Sequence, residues 1–282
     1  VSSQYQDTPL QRRLLPQYFY ALARANYSNQ IETFVQLRTF MLGVPLRTVS
    51  WANLKLFLRE HVGSGQHKHI VSINPEILVV ARKQTEFARI LKSADVHIAD
   101  GMGIILAGKV TGETVAERVT GVRVVEKILD DFKVKEGERK LHVVFAGGQC
   151  QTAKNLAEKY RQRYPRGYCF EAVSDVSSDD PAFLSSIVKL RPDLLFVALG
   201  SPKQEMWIDT HKTQLPCVCI GVGGAFDMLA GRIPRAPYIM QKVGLEWFYR
   251  LIREPWRWRR QLRLLVFIFI VLQEAIRKRL GR

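Results

Sequence analysis

The sequence predicts an α/β protein with a Rossmann-like, mainly parallel sheet covered by helices on both faces. Three observations predict it. Apolar runs of strand length alternate regularly with segments of helical periodicity, the order that builds a parallel sheet through crossover helices. At 282 residues and 47% hydrophobic composition, with no internal repeat or low-complexity tract, the chain has material for one sizeable core. Two apolar runs, residues 194–199 and 218–222, break into glycine just before a helix-like segment. Backbone N–H groups at such a break have no partner and favour negative charge. Two such turns in one sheet suit a ligand with a diphosphate, a nucleotide first of all. Equally, the glycines serve as plain tight turns in many α/β proteins.

The elements follow in order. Residues 1–40 are polar and basic, with an aromatic patch at Tyr18–Tyr20, and read as an N-terminal extension. A short strand over 42–47 leads into a helix over 50–61, a GSGQHKH loop and a strand over 70–73. Pro75 opens a helix expected to run unbroken to Ser93, its apolar positions at Ile77, Val80, Ala81, Phe87, Ala88 and Leu91. A strand over 96–99 runs into Asp100-Gly101, followed by helices over 102–110 and 122–132. A strand over 141–146 meets Gly147-Gly148 and a helix over 152–163. A strand over 169–173, a helix over 181–189 and the two glycine-ended strands complete the domain. Pro234, Pro237 and a basic composition mark a change after Gly231. The chain thus divides into an extension (1–40), a catalytic α/β domain (41–231) and a basic amphipathic C-terminal appendage (232–282), expected to be helical and membrane-associating.

The net charge is +16, and the last fifty-one residues hold thirteen Lys/Arg against three Asp/Glu. That asymmetry calls for an anionic partner. Within it LLVFIFIVL (264–272) follows PWRWRRQLR and precedes RKRLGR. Nine apolar residues are too few to cross a bilayer, where about 20 are needed. Tryptophans and arginines beside a short apolar run suit a segment lying among lipid headgroups, which favours a membrane surface over nucleic acid. A core helix or a seam between copies of the chain would have the same composition. The four cysteines show no CxxC spacing, and Cys217 and Cys219 alternate on a strand as small core residues. A reducing compartment without a zinc site is expected. The N-terminus shows no basic-then-apolar export signal.

In such sheets ligands collect beyond the carboxyl ends of the strands. Ser72 and Asn74 close one strand, Asp100 the next, and Gln204 and Asp227 follow the two glycine breaks. A strand-end aspartate before glycine can take a proton from a hydroxyl nucleophile, or it can cap the following helix. Asp130-Asp131 and Asp179-Asp180 fall in a helix and a loop, away from strand ends, so no metal site is expected. The six histidines form no nucleophile or ligand pattern.

The order of the motifs resembles the WecG/TagA/CpsF family of bacterial glycosyltransferases, family 26 of the sequence-based classification. The matching pieces are Ser72-Ile73-Asn74-Pro75-Glu76, Ala99-Asp100-Gly101-Met102-Gly103 and Glu117-Arg118-Val119-Thr120-Gly121. Then come Ala198-Leu199-Gly200-Ser201-Pro202-Lys203-Gln204-Glu205 and Gly221-Val222-Gly223-Gly224-Ala225-Phe226-Asp227. The series ends with Gly231-Arg232-Ile233-Pro234-Arg235-Ala236-Pro237, Gly244-Leu245-Glu246-Trp247 and Arg253-Glu254-Pro255. The resemblance spans about residues 40–260. It implies an inverting transferase that moves a hexose, N-acetylmannosamine or a related sugar, from a UDP-sugar to a polyprenyl-diphosphate-linked sugar in cell-surface polysaccharide synthesis. The enzyme would work without a metal or other cofactor, peripherally on the inner face of the cell membrane.

By the same resemblance Asp100 is the base. Ser72, Asn74, Arg118 and Gln204 surround donor sugar and diphosphate, Gly223 and Gly224 seat the phosphates, and Asp227 accepts the ribose hydroxyls. Arg250, Arg257 and Arg260 hold the acceptor diphosphate. Arg118 has a second reading as an ion-pair partner of Glu117 or of a nearby helix. Arg123 stands where many members have aspartate, and 174–179 replaces a His-Gly-Tyr-like stretch, so the identity of the sugar stays open. The alternative function is a nicotinamide-dinucleotide oxidoreductase. Against it, the Gly221–Gly224 turn comes late and no acidic residue follows at a second strand end. Homo-oligomerisation is open, and nucleic acid is not an expected partner.

Overall fold

A computed structural model describes residues 39–132, 139–149, 151–174, 176–242, 244–255 and 258–281. Most of the N-terminal extension, Cys150 and Arg257 therefore lie outside the described residues. Among these residues six parallel strands form one sheet in the order β4-β3-β8-β7-β5-β6: β3 (Lys68–Ile73), β4 (Val96–Ala99), β5 (Leu141–Gly147), β6 (Tyr168–Val173), β7 (Leu194–Ala198) and β8 (Val218–Gly221). All five pairings are parallel, as the alternation of strands and helices requires.

Helices cover both faces. On one lie α1 (Trp51–His61), α5 (Gly121–Asp131), α6 (Thr152–Arg163) and α9 (Ala225–Leu229), packed on Ile70, Ile98, Phe145, Phe196 and Ile220. Phe145 is their centre, stacked on Phe196 at 5.6 Å and meeting Phe226 edge-on at 5.6 Å. The opposite face is covered in two patches. Over β5 and β7, α7 (Pro181–Leu190) and α8 (Lys203–Thr210) bury Phe183, Ile187 and Ile208 beside Cys217 and Cys219. The two cysteines do lie on one buried side of β8, their sulfurs 3.7 Å apart. Over β3 and β4 sit α2 (Pro75–Lys83), α3 (Thr85–Ser93) and α4 (Met102–Thr111).

Caps explain several boundaries. Ser50 Oγ accepts from Asn53 N–H, Asn74 Oδ1 from Ile77 N–H and Asp180 Oδ1 from Ala182 N–H, with Pro75 and Pro181 in the first turns of α2 and α7.

Two expectations are corrected, and the helical C-terminal region is found as expected. The strand expected over 42–47 is a hairpin, β1 (Thr39–Met41) with β2 (Val44–Leu46), because Leu42 and Gly43 turn through positive φ. The single helix over 75–93 is two. Gln84 is extended, and the break lets α3 pack against β2 and α8 with Phe87 and Leu91 buried. The region after Gly231 is helical: α10 (Tyr238–Lys242), α11 (Glu246–Arg253) and α12 (Trp258–Arg279). The last of these is joined to the core, since Phe267 and Val271 are buried in the patch formed with α2 and α4. Among the described residues no helix is long and apolar enough to cross a membrane.

The free edge of β4 is closed by two passing segments. Thr48 bridges to His97, and Arg118 bridges to Ala99. His97, without assigned chemistry, is what ties the first segment down: its Nδ1 accepts from Arg47 N–H at 2.8 Å and its Nε2–H donates to Leu91 O at 2.9 Å. Burial holds His97 down to about 4 and His69 to about 3. Between pH 6.5 and about 4 the unfolded chain therefore binds protons that the folded one refuses, and stability falls with falling pH in that window. Melting temperatures measured from pH 7 to 4.5 should drop steadily, and His97→Gln should weaken the drop. A flat profile would contradict this reading.

Candidate active site

The carboxyl ends of β3, β4 and β8 meet the start of α5 in one crevice. Asp100 follows β4 and is fixed by its own N–H, which donates to Ile73 O at 2.8 Å. Gly101, at φ +97°, then turns the chain into α4. The Asp100 carboxylate accepts from Gly121 N–H at the head of α5. Three elements converge here: the Cβ position of Gly121 lies 3.9 Å from Asp100 Oδ2 and 3.6 Å from Val222 O. Asp100 is partly buried as a residue. Burial first, and the Glu246 carboxylate second, push its carboxyl up to about 6, against the pull of Gly121 N–H, Arg118 and Arg250.

Two arginines face it. The bridge of Arg118 to Ala99, with Val119 N–H donating to Ala99 O at 3.0 Å, places the guanidinium beside the end of β4. Its Nη1 donates to Gln241 O at 2.8 Å and its Nη2 lies 3.6 Å from Glu246 Oε2. Of the two ion pairs expected for Arg118, the one with a nearby helix is formed, to Glu246 of α11, and not the one with Glu117, which accepts from Trp51 N–H. Arg250, from α11, reaches over the β8 turn, with Nη2 3.0 Å from where a Cβ on Gly224 would be and 3.5 Å from Glu254 Oε2. Ser72 Oγ, Thr120 Oγ1 and Arg118 Nε are buried without a hydrogen-bond partner among the described residues, hydrogen-bonding capacity a bound molecule can use.

The glycine seat is built differently from its sequence reading. Gln204 Oε1 accepts from Gly223 N–H at 3.0 Å, while its Nε2 donates to Glu205 Oε1 at 2.7 Å. Both ends of the amide are therefore engaged within the protein, and Gln204 shapes the turn from within the core. Gly221 makes room for it, since a Cβ there would lie 2.6 Å from Gln204 Nε2. Burial raises the Glu205 carboxyl above the usual range. Asn74 uses its side-chain oxygen to cap α2. Asp227 turns toward the end of β5: Arg232 Nη1 lies 3.3 Å from it and donates to Gln149 O and Thr152 Oγ1. The crevice thus gathers Asp100, Arg118, Gly224 and Arg250, with Ser72 near the end of β3. Arg260 falls in the first turn of α12. Thr120 and Glu246 belong to the site although sequence reasoning gave neither a role. Both stand inside motifs quoted above, and that was their signal.

A partly buried aspartate at a strand end, flanked by two arginines and a glycine turn, is an arrangement suited to group transfer on a Rossmann-like sheet. The glycosyl transferase WecG/TagA/CpsF family model matches residues 39–281. The chain belongs to that family and is a glycosyltransferase. It is similar to the N-acetylglucosaminyldiphosphoundecaprenol N-acetyl-beta-D-mannosaminyltransferase of Bacillus subtilis (strain 168), 32% identical over 211 residues, 74% of this chain and 81% of that protein. Proteins of the same name from Bacillus spizizenii (strain ATCC 23059 / NRRL B-14472 / W23) and Staphylococcus aureus (strain MW2) are 33% and 32% identical, over 72% and 75% of this chain and 78% and 80% of theirs. The oxidoreductase alternative finds no support in these relatives.

Proposed function

We propose that the enzyme transfers N-acetylmannosamine or a related hexose from a UDP-sugar to a sugar carried on a polyprenyl diphosphate, with inversion. The placement of Asp100 between a glycine turn and two arginines carries the reading, and the relatives' names supply the acceptor class. Asp100 takes the proton of the acceptor hydroxyl as its oxygen bonds to the anomeric carbon. The bond from that carbon to the UDP oxygen breaks, and the diphosphate leaves with the added negative charge. Arg118, Arg250 and the backbone at Gly224 take up that charge, which is why we propose a reaction without a metal. Asp227 is proposed to face the nucleotide, and Arg250, Arg257 and Arg260 the acceptor diphosphate.

The acceptor lives in a membrane, and the outer surface of the last helices fits one. Leu265, Phe269, Leu272 and Ile276 repeat at helical spacing on α12 and are half or more exposed, as are Tyr238 and Ile239 on α10. We propose that this face lies in the headgroup region of the cytoplasmic leaflet. The test is incubation with radiolabelled UDP-sugars and a short-chain polyprenyl-diphosphate sugar. A labelled lipid product is expected with one UDP-hexose; no product with any of them would refute the proposal.

A further inference from the structure

Glu246 is the one carboxylate that the appendage brings to the base. It heads α11, and its side chain, 18% exposed, reaches back to the Arg118 guanidinium. Three contacts fix it there. Gly244 turns at φ +80° against Met102 of α4, where a methyl group would lie 2.5 Å from Met102 Cγ. Gln241 O, just before it, takes the other Arg118 nitrogen. Leu245 N–H donates to Met240 O, joining α10 to α11.

We propose that Glu246 is a positioning residue of the reaction: it clamps Arg118 beside Asp100 and makes the seating of α11 felt by the base. This rests on the reading of Asp100 as that base. The groups facing Asp100 are few: Gly121 N–H from α5, Arg118 from the segment before it, and Glu246 and Arg250 from α11. Glu246 alone among them is a like charge, so it raises the proton affinity of Asp100 while holding Arg118 from moving fully onto it. A departing diphosphate competes with Glu246 for the same guanidinium. Arg118 would then pass from the carboxylate to the phosphate as negative charge develops.

The experiment is the pH dependence of kcat/KM for the full-length enzyme with UDP-sugar and short-chain acceptor, for wild type, Glu246→Gln and Glu246→Met. Gln keeps an acceptor for Arg118 and removes the charge. Its acidic limb should move down by about 0.5–1 pH unit, a change that a purely structural role would not produce. Met removes both, and should add a rise of about tenfold in donor KM, the measure of a loosened Arg118. Circular dichroism confirms folding of each variant. An unmoved or raised limb in Glu246→Gln overturns the inference, as does an unchanged donor KM in Glu246→Met. An active Asp100→Asn enzyme would instead overturn the reading of Asp100, and the inference with it.

Discussion

Asp100→Asn should abolish sugar transfer and, at the same time, make the protein harder to melt. Losing a positioned base typically costs about 10²–10⁴-fold in rate. The stability gain follows from the carboxyl being pushed up to about 6 by burial and by Glu246. Between pH 3.8 and about 6 the folded chain holds a proton that the unfolded chain has released, so stability falls as pH rises through that window. Above 6 the cost of the buried charge is fully present. The amide has no charge to desolvate, and its oxygen can still accept from Gly121 N–H. A gain of about 1–3 kcal/mol is expected at pH 7. For a protein of this size each kcal/mol raises the melting temperature by about 2–4 °C. A residue kept only for structure would show the reverse, a lower melting temperature with activity largely intact. That outcome would refute the assignment.

The second large effect is expected at the outer face of α12. Leu265→Ser, Phe269→Ser and Leu272→Ser together should leave the fold in place, since these side chains are 63%, 61% and 51% exposed. The inner face, Phe267, Val271 and Ala275, is untouched and keeps the helix on α2 and α4. Each large apolar side chain moved from water into an acyl boundary contributes about 1.5–3 kcal/mol, so losing three should weaken binding to anionic vesicles by more than about 100-fold. Flotation with vesicles of phosphatidylglycerol and phosphatidylethanolamine measures it. If the triple variant floats like wild type, the membrane face is elsewhere. If it floats like wild type but changes from dimer to monomer in solution, the stripe is a seam between copies.

The division between what was legible and what was not follows the range of each interaction. Strands and helices came from local pattern, so β3 to β8 and most helices fall within a residue or two of their expected places. Asp100 was legible because a strand end, an acidic residue and a glycine stand together in the sequence. The role of α12 was only half legible. Its composition marks two apolar faces without saying which one the core takes, and it is Phe267 and Val271 that turn inward. Glu246 was hidden for a stronger reason. It lies more than a hundred residues from Arg118, and nothing local brings the two within 3.6 Å. The packing of Gln204 was not legible because its neighbours decide it: Glu205 accepts from its amide N–H, and its oxygen accepts from Gly223 N–H.

A structure with UDP bound tests the central claim most directly. The account places the diphosphate over the turn at Gly224, between the Arg118 and Arg250 guanidinium groups, with Asp100 facing the sugar end. A diphosphate seated instead at the Gly147-Gly148 turn beyond β5, remote from Asp100, would contradict it.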